Sequence, residues 1–349
     1  MPVESEMTSS SPVTAAEQSL RWSNPLLPQR ADPHLSLHDG RYWFTASVPA
    51  FDAIELRTAD SLAGLQASTG HVVWRKHESG PMSWHVWAPE LHRIEGRWFL
   101  YFAASERDDI WKLRMHVLEC ASDDPLAGPW IERGQIATPL DSFALDATTF
   151  AHRGTRWLVW AQKDPAIAGN TNLYIAPLAN AWTLAAAPVR LSMPDQPWEQ
   201  VGFLVNEGPA VLVRHGKVIV AYSASATDAN YCMGLLWADA QADLMDPAAW
   251  HKSPQPVFAS ANDQYGPGHN SFTTTPDGAV DLLVYHARDY RDIAGDPLHD
   301  PNRHARVQPF GWRADGLPEF GEPVADGVVA LPSSSTARPA QDEPGRARA

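Results

Sequence analysis

One pattern recurs five times along the chain, and this recurrence limits the fold more than any other feature. Each copy opens with a short apolar strand, passes a tight turn, and returns through a strand dense in Trp, Tyr, Phe, Val or Leu. The first three copies read ADPHLSLHDGRYWFTAS from Ala31 to Ser47, WAPELHRIEGRWFLYFAAS from Trp87 to Ser105, and LDATTFAHRGTRWLVWA from Leu145 to Ala161. The last two read NEGPAVLVRHGKVIVAYSAS from Asn206 to Ser225 and GHNSFTTTPDGAVDLLVYHAR from Gly268 to Arg288. A period of roughly 60 residues suits four-stranded antiparallel units arranged radially. Turn signals His38-Asp39-Gly40, Glu95-Gly96, Arg153-Gly154, His215-Gly216 and Pro276-Asp277-Gly278 fall at nearly one offset in every copy. Such residues supply the backbone conformations of tight hairpins. Helical periodicity is nearly absent, and Ala238 to Met245 makes at most a short turn. The pattern predicts an all-β, five-bladed β-propeller over residues 22–332, with an active site in a central axial pocket. Segments 1–21 and 333–349, rich in Ser, Pro, Ala and charge, are expected to be disordered.

In a radial array the first strand of each unit lies nearest the axis, so residues at its start converge from separate blades. Aligning the copies puts Asp32, Asp146 and Glu207 at one repeat position, with Glu90 near it in the second copy and His269 in the fifth. A structural repeat does not require an acid there. Acids far apart in sequence are thereby expected to face one pocket. The ordinary alternative is that they cap turns or strands, since Asp readily bonds its own backbone.

A chain of 349 residues with 44% hydrophobic content can bury a large core. Most of the 15 tryptophans, among them Trp43, Trp98 and Trp157 in second strands, are expected to pack between blades. A net charge of −14 argues against a nucleic-acid backbone and against a polyanionic ligand, leaving a small neutral one. Two cysteines, Cys120 and Cys232, build neither a disulfide framework nor a zinc cluster, and read as free buried thiols. The first residues, MPVESEMTSSSPVTAAEQS, lack a basic and then apolar pattern, and no apolar run reaches the roughly 18 residues of a membrane span. These points predict a cytoplasmic protein, with no membrane partner and monomeric by default.

Five motifs carry a family resemblance: ADPH from Ala31, WAPELH from Trp87, LDATTF from Leu145, NEGP from Asn206 and GPGHNS from Gly266. In order and spacing the chain resembles glycoside hydrolase family 43 from about Asn24 to Val329. The stretches FTASVPAFDAIELR and WRKHESGPMSWHVWAPELH look most like its exo-acting α-L-arabinofuranosidases. The resemblance implies hydrolysis with inversion, in which Asp32 is the general base, Glu207 the general acid, and Asp146 an acid that orients Glu207 and raises its pKa. Chemically, a general acid must hold its proton near neutral pH, which burial beside another negative charge achieves.

The resemblance also implies that Trp87 stacks on the sugar, with packing as the ordinary alternative. Arg303 looks like a fifth-blade arginine that pairs with the carboxylates, and Arg288 and Arg306 compete for that part. His85 and Phe51 border the sugar subsite or pack a loop. His269 helps to hold a structural metal or a water on the axis, or is a satisfied core histidine. No cofactor is required for the chemistry. Glu90 is expected to be a structural hydrogen-bonding acid. Segments Val48 to Pro89 and Asp289 to Pro301 are long enough to wall off one end of the cleft. The expected reaction is release of terminal α-L-arabinofuranosyl units from 1,5-linked arabino-oligosaccharides. A β-xylosidase, or an enzyme accepting both pentoses, is the enzymatic alternative. A catalytically silent glycan-binding propeller is the alternative from another class. His77-Glu78 makes no metalloprotease pair, because Pro81 stands where the second His belongs.

Overall fold

Each copy of the repeat folds into the two inner strands of one blade, as seen in a computed structural model that describes residues 21–329 and 331. Blade I contains Ala31–His38, Arg41–Ser47, Ala53–Ala59 and His71–Arg75, in that hydrogen-bonded order. Blade II contains Trp84–Ile94, Arg97–Glu106, Asp109–Cys120 and Ile131–Gln135. Blade III contains Ala144–His152, Thr155–Gln162 and Asn172–Asn180, and the last of these pairs with both Thr183–Leu184 and Val189–Ser192. Blade IV contains Asn206–Arg214, Lys217–Ala224, Cys232–Asp239 and His251–Lys252. Blade V has three strands of its own, Tyr265–Thr274, Asp281–Arg288 and His304–Pro309. The first strands of the blades neighbour one another in a closed ring, with blade V meeting blade I. The expected terminal segments lie outside the described residues, apart from Arg21.

The repeated turns explain the hairpins. Asp39-Gly40, Glu95-Gly96, Arg153-Gly154 and His215-Gly216 all have φ between 50° and 80°. Two successive residues of positive φ make the turn whose twist matches paired strands. The ring is closed by the ends of the chain. Trp22–Asn24 pairs antiparallel with Gly327–Val329. The Trp22 indole and the Asn24 amide both donate to the Val307 carbonyl, and Val307 N–H donates back to Asn24 Oδ1. Leu26 N–H donates to the Ala305 carbonyl. The N-terminal segment thus covers the edge of blade V that a fourth strand would otherwise cover.

Packing lies between blades. Trp43, Ile54 and Leu56 of blade I meet Leu91, Trp98 and Leu100 of blade II, with the Trp43 and Trp98 rings 5.2 Å apart. Leu35, Tyr42 and Phe44 meet Leu282, Val284 and Val307 where blade V joins blade I. Cys120 and Cys232 are free and buried. A short α-helix, Leu62–Ala67, interrupts blade I; Ser61 Oγ caps it by accepting Gly64 N–H, and Leu62 and Leu65 bury its inner face. Six residues are too few to show a helical period in sequence.

Candidate active site

All five inner strands slip register near their starts, and each slip leaves a residue with positive φ facing the ring. The slips fall between Ala31 and His34, Trp87 and Glu90, Leu145 and Thr148, Glu207 and Ala210, and Gly268 and Ser271. The residues concerned are Asp32 (φ 54°), Ala88 (44°), Asp146 (57°), Gly208 (55°) and His269 (44°). A positive φ is costly for side chains with a Cβ, and persists where surroundings fix it. Here they do. Asp32 N–H donates to His286 Nδ1, Ala88 N–H to Ser47 Oγ, Gly208 N–H to Asp146 Oδ2 and His269 N–H to Ser223 Oγ. Each of these bonds reaches across to the neighbouring blade.

This register corrects the alignment of the acids. Asp32, Asp146 and His269 are equivalent, but Glu207 stands one residue earlier, with Gly208 in the equivalent place. Glu90 lies two residues beyond its counterpart, Ala88. A bulge shifts the side-chain alternation by one, which strings of residues do not reveal. Gly208 is forced by its surroundings: a Cβ there would stand 3.1 Å from the His269 ring.

Asp32 is held ionised, whereas the other two acids keep a proton between them near neutral pH. Burial alone would raise the pKa of Asp32, but the Arg303 guanidinium and then His269 outweigh it, so the carboxyl sits well below its ordinary value. Arg303 donates to Asp32 Oδ1 at 3.2 Å, His269 Nδ1 stands 3.3 Å from the same oxygen, and the Ser47 hydroxyl donates to Oδ2 at 2.6 Å. Asp146 is pushed up to about 7, by burial first and then by Glu207 and Asp32, against the pull of His269 and Gly208 N–H. Glu207 is also pushed up to about 7, by burial first, against the hydrogen bond that Tyr231 donates at 2.8 Å. Two carboxyls that repel each other in this way titrate as a pair. The site therefore offers an ionised carboxylate and a retained proton at neutral pH.

Of the three arginines considered, Arg303 reaches the acids. Arg306 pairs with Asp326, and Arg288 holds Asp300 and the Thr227 and Pro297 carbonyls, which ties down the blade V loop. Ser47, Tyr231 and His286 were not apparent as site residues. His286 is neutral, its pKa lowered to about 3 chiefly by burial, and its ring stacks on Tyr231 at 5.7 Å. Tyr231 passes so close to Gly268 that a Cβ there would lie 2.5 Å from its ring. Ser47 and Ser223 lie opposite Ala31 and Glu207 in the second strands, so a signal was present in the repeat.

Trp87, His85 and Phe51 come together next to Ala88, whose N–H is held by the Ser47 hydroxyl that donates to Asp32. His85 stacks on Trp87 at 4.4 Å, and Phe51 meets the Trp87 edge at 5.8 Å. Burial lowers the pKa of His85, and its Nδ1–H donates to the Ile110 carbonyl at 2.9 Å, leaving Nε2 as an acceptor. Leu298 of the long blade V loop joins the same apolar cluster as Trp87 and Phe51.

The donor set around His269 bears on the expected axial metal. His269 Nδ1 is 3.3 Å from Asp32 and 4.0 Å from Asp146, so its ring lies between the two acids. Among the described residues, the group close enough to surround an ion is His34, Glu90 and His92, which does not include His269. That group is already satisfied internally. His34 Nδ1 accepts Leu91 N–H, and His92 Nε2 bonds Glu90 Oε2 at 2.7 Å. The donors do not fit an ion held by His269. Glu90 keeps its charge despite burial because His34 and His92 flank it.

Comparison with known proteins gives one consistent result. The sequence profile described as Glycosyl hydrolases family 43 matches residues 22–318. The extracellular exo-α-(1→5)-L-arabinofuranosidase of Streptomyces avermitilis is 55% identical over 323 residues, covering 92% of this chain and 67% of that protein. The chain thus spans about two thirds of that relative's length. The protein of the same name from Streptomyces chartreusis is 52% identical over 286 residues, covering 81% of this chain and 87% of that one. The crystal structure of an α-L-arabinofuranosidase from Lactobacillus brevis superposes with a TM-score of 0.85 at 54% identity, covering 88% of this chain and 98% of that chain. Both Streptomyces proteins are named extracellular, which overturns the expectation of cytoplasmic residence. The thiols gave that expectation no real support. Cys120 and Cys232 are buried and so are shielded from the redox state of any compartment.

Proposed function

This chain belongs to glycosyl hydrolase family 43, and from that premise we propose that it is an inverting exo-α-L-arabinofuranosidase. It is a glycoside hydrolase, and its chemistry needs no cofactor. Its substrate is the terminal α-L-arabinofuranosyl unit of 1,5-linked arabino-oligosaccharides, and it acts outside the cell. The observation that carries this reading is the opposed state of Asp32 and the Asp146–Glu207 pair. The names of its relatives supply the substrate class.

Asp32, ionised and held by Arg303 and Ser47, takes a proton from a water molecule. The oxygen of that water forms a bond to the anomeric carbon as the glycosidic bond breaks. Glu207 gives its proton to the departing oxygen, so a single displacement leaves the configuration inverted. An inverting pair leaves room for the water, with carboxyls about 6.5–9.5 Å apart. Placing base and acid on blades I and IV, rather than on one strand, suits such a gap. Asp146 keeps Glu207 protonated through its negative charge and orients the acid by binding Gly208 N–H. His269 stands between Asp32 and Asp146 and keeps the two acids apart. Trp87, His85 and Phe51 bind the terminal sugar.

The test is product analysis on linear 1,5-α-L-arabino-oligosaccharides, following chain length and anomeric configuration with time. Release of single arabinose units with inverted configuration is expected. Cleavage of xylo-oligosaccharides instead would keep the mechanism and replace the substrate. Binding without cleavage of either would leave a glycan-binding propeller.

A further inference from the structure

Glu207 has a fixed partner that the three carboxyls alone do not account for. Tyr231 stands directly before the third strand of blade IV and is fully buried, and its hydroxyl donates to Glu207 Oε1 at 2.8 Å. The other oxygen, Oε2, accepts no hydrogen bond from any described residue and is not sealed from solvent. The two oxygens of this carboxyl are therefore unlike, one held by a buried phenol and one left open. The phenol ring has little freedom to move. It stacks on His286 of blade V at 5.7 Å with the ring planes 6° apart, and Gly268 passes it so closely that no side chain would fit there. His286 in turn accepts the Asp32 N–H at Nδ1, at 3.0 Å. The histidine that steadies the backbone of Asp32 is thus the face against which the tyrosine of Glu207 is laid.

A carboxylic acid can carry its proton on either oxygen, but only the oxygen that faces the departing group can deliver it. We propose that Tyr231 is a positioning residue for the general acid: by occupying Glu207 Oε1, its hydroxyl directs the transferable proton to Oε2. This rests on the function proposed above. As the glycosidic bond breaks, the Oε2–H bond breaks with it, the proton passes to the departing oxygen, and Glu207 is left as a carboxylate. The Tyr231 hydrogen bond then becomes a charge-assisted one, which is shorter and stronger. An interaction that strengthens as charge develops favours the transition state over the bound substrate. A phenol suits this part because it has one proton to donate and, with its pKa raised by burial and then by Glu207, keeps it.

The experiment compares Tyr231→Phe with the native chain on two glycosides. One is 1,5-α-L-arabinotriose, whose departing sugar needs a proton, and the other is 2,4-dinitrophenyl α-L-arabinofuranoside, whose departing phenolate does not. Phenylalanine keeps a ring against His286 and removes only the hydroxyl. On arabinotriose kcat should fall roughly 10- to 100-fold, the scale of one hydrogen bond to a charged group, with KM unchanged. On the dinitrophenyl glycoside the loss should be far smaller. The Tyr231 bond favours the ionised carboxyl, so its removal should carry the alkaline limb of kcat/KM to higher pH. The other charges that act with Glu207, on Asp32, Arg303 and Asp146, stay in place. The variant would then be slower although its acid holds the proton more firmly, which a general loosening of the site would not produce. Equal losses on the two glycosides, no loss on arabinotriose, or an alkaline limb that stays in place would overturn the assignment. A native chain that cleaves neither glycoside would instead sink the proposed function, and this inference with it.

Discussion

Gly208 N–H donates to Asp146 Oδ2 at 2.9 Å, so the residue that follows Glu207 is bound directly to the acid of the neighbouring blade. Through this bond Asp146 fixes the backbone that carries Glu207, while its charge acts on the Glu207 proton. The two effects can be separated, because an amide oxygen accepts the same N–H without the charge.

Asp146→Asn should therefore keep the fold and lower kcat by roughly 10²-fold, within the range that general-acid catalysis contributes. Removing the neighbouring negative charge makes Glu207 easier to ionise. The alkaline limb of the kcat/KM profile, expected near pH 7 in the native protein, should move to lower pH. A limb that stays in place would show that Asp146 acts through geometry alone.

Arg303→Met makes a different prediction. Arg303 lowers the pKa of both Asp32 and Glu207. Its loss should move the acid limb, set by Asp32, and the alkaline limb, set by the acid pair, to higher pH together. A pH profile in which the acid limb alone moves would mean that Arg303 does not act on Glu207.

The fold was legible because its signals are local and repeated. Asp39-Gly40 and Arg153-Gly154 announce the same turn without tertiary information, and the apolar runs beside them have strand length. Asp32 and Asp146 were legible because the bulge falls on each of them in the same way. Glu207 was found through its motif, but its offset from Asp146 was hidden, since a one-residue slip becomes visible only against a paired strand. Tyr231 directly precedes the third strand of blade IV, and His286 lies on the second strand of blade V, outside the motifs that carry the acids they touch.

Behind the site, Glu199 is fully buried and binds the Asn206 amide at 2.9 Å, the Tyr222 hydroxyl at 2.8 Å and Lys252 Nζ at 2.7 Å. Asn206 directly precedes Glu207. Lys252→Met would leave the Glu199 carboxylate buried without its cation, which costs about 3 kcal/mol in comparable buried pairs. The urea midpoint should fall accordingly. An unchanged midpoint would place the pair among those that contribute nothing to stability.

The same acids should set opposite pH dependences of stability. Glu207 has a folded pKa raised to about 7, above the unfolded value of about 4.3. Its contribution is complete below the unfolded value and is lost as pH rises through the folded one. Glu207→Gln removes that loss, so the variant should match the native protein near pH 4 and be the more stable of the two at pH 8. Asp32 has a lowered folded pKa, and its contribution is present above the unfolded value and lost on acidification. Asp32→Asn should therefore be less stable than the native protein at pH 8, because Arg303 and His269 lose their charged partner. Urea unfolding of both variants at the two pH values checks this. Destabilisation of Glu207→Gln at pH 8 would mean that folding does not raise the pKa of Glu207, and that it does not hold a proton for the leaving group near neutral pH.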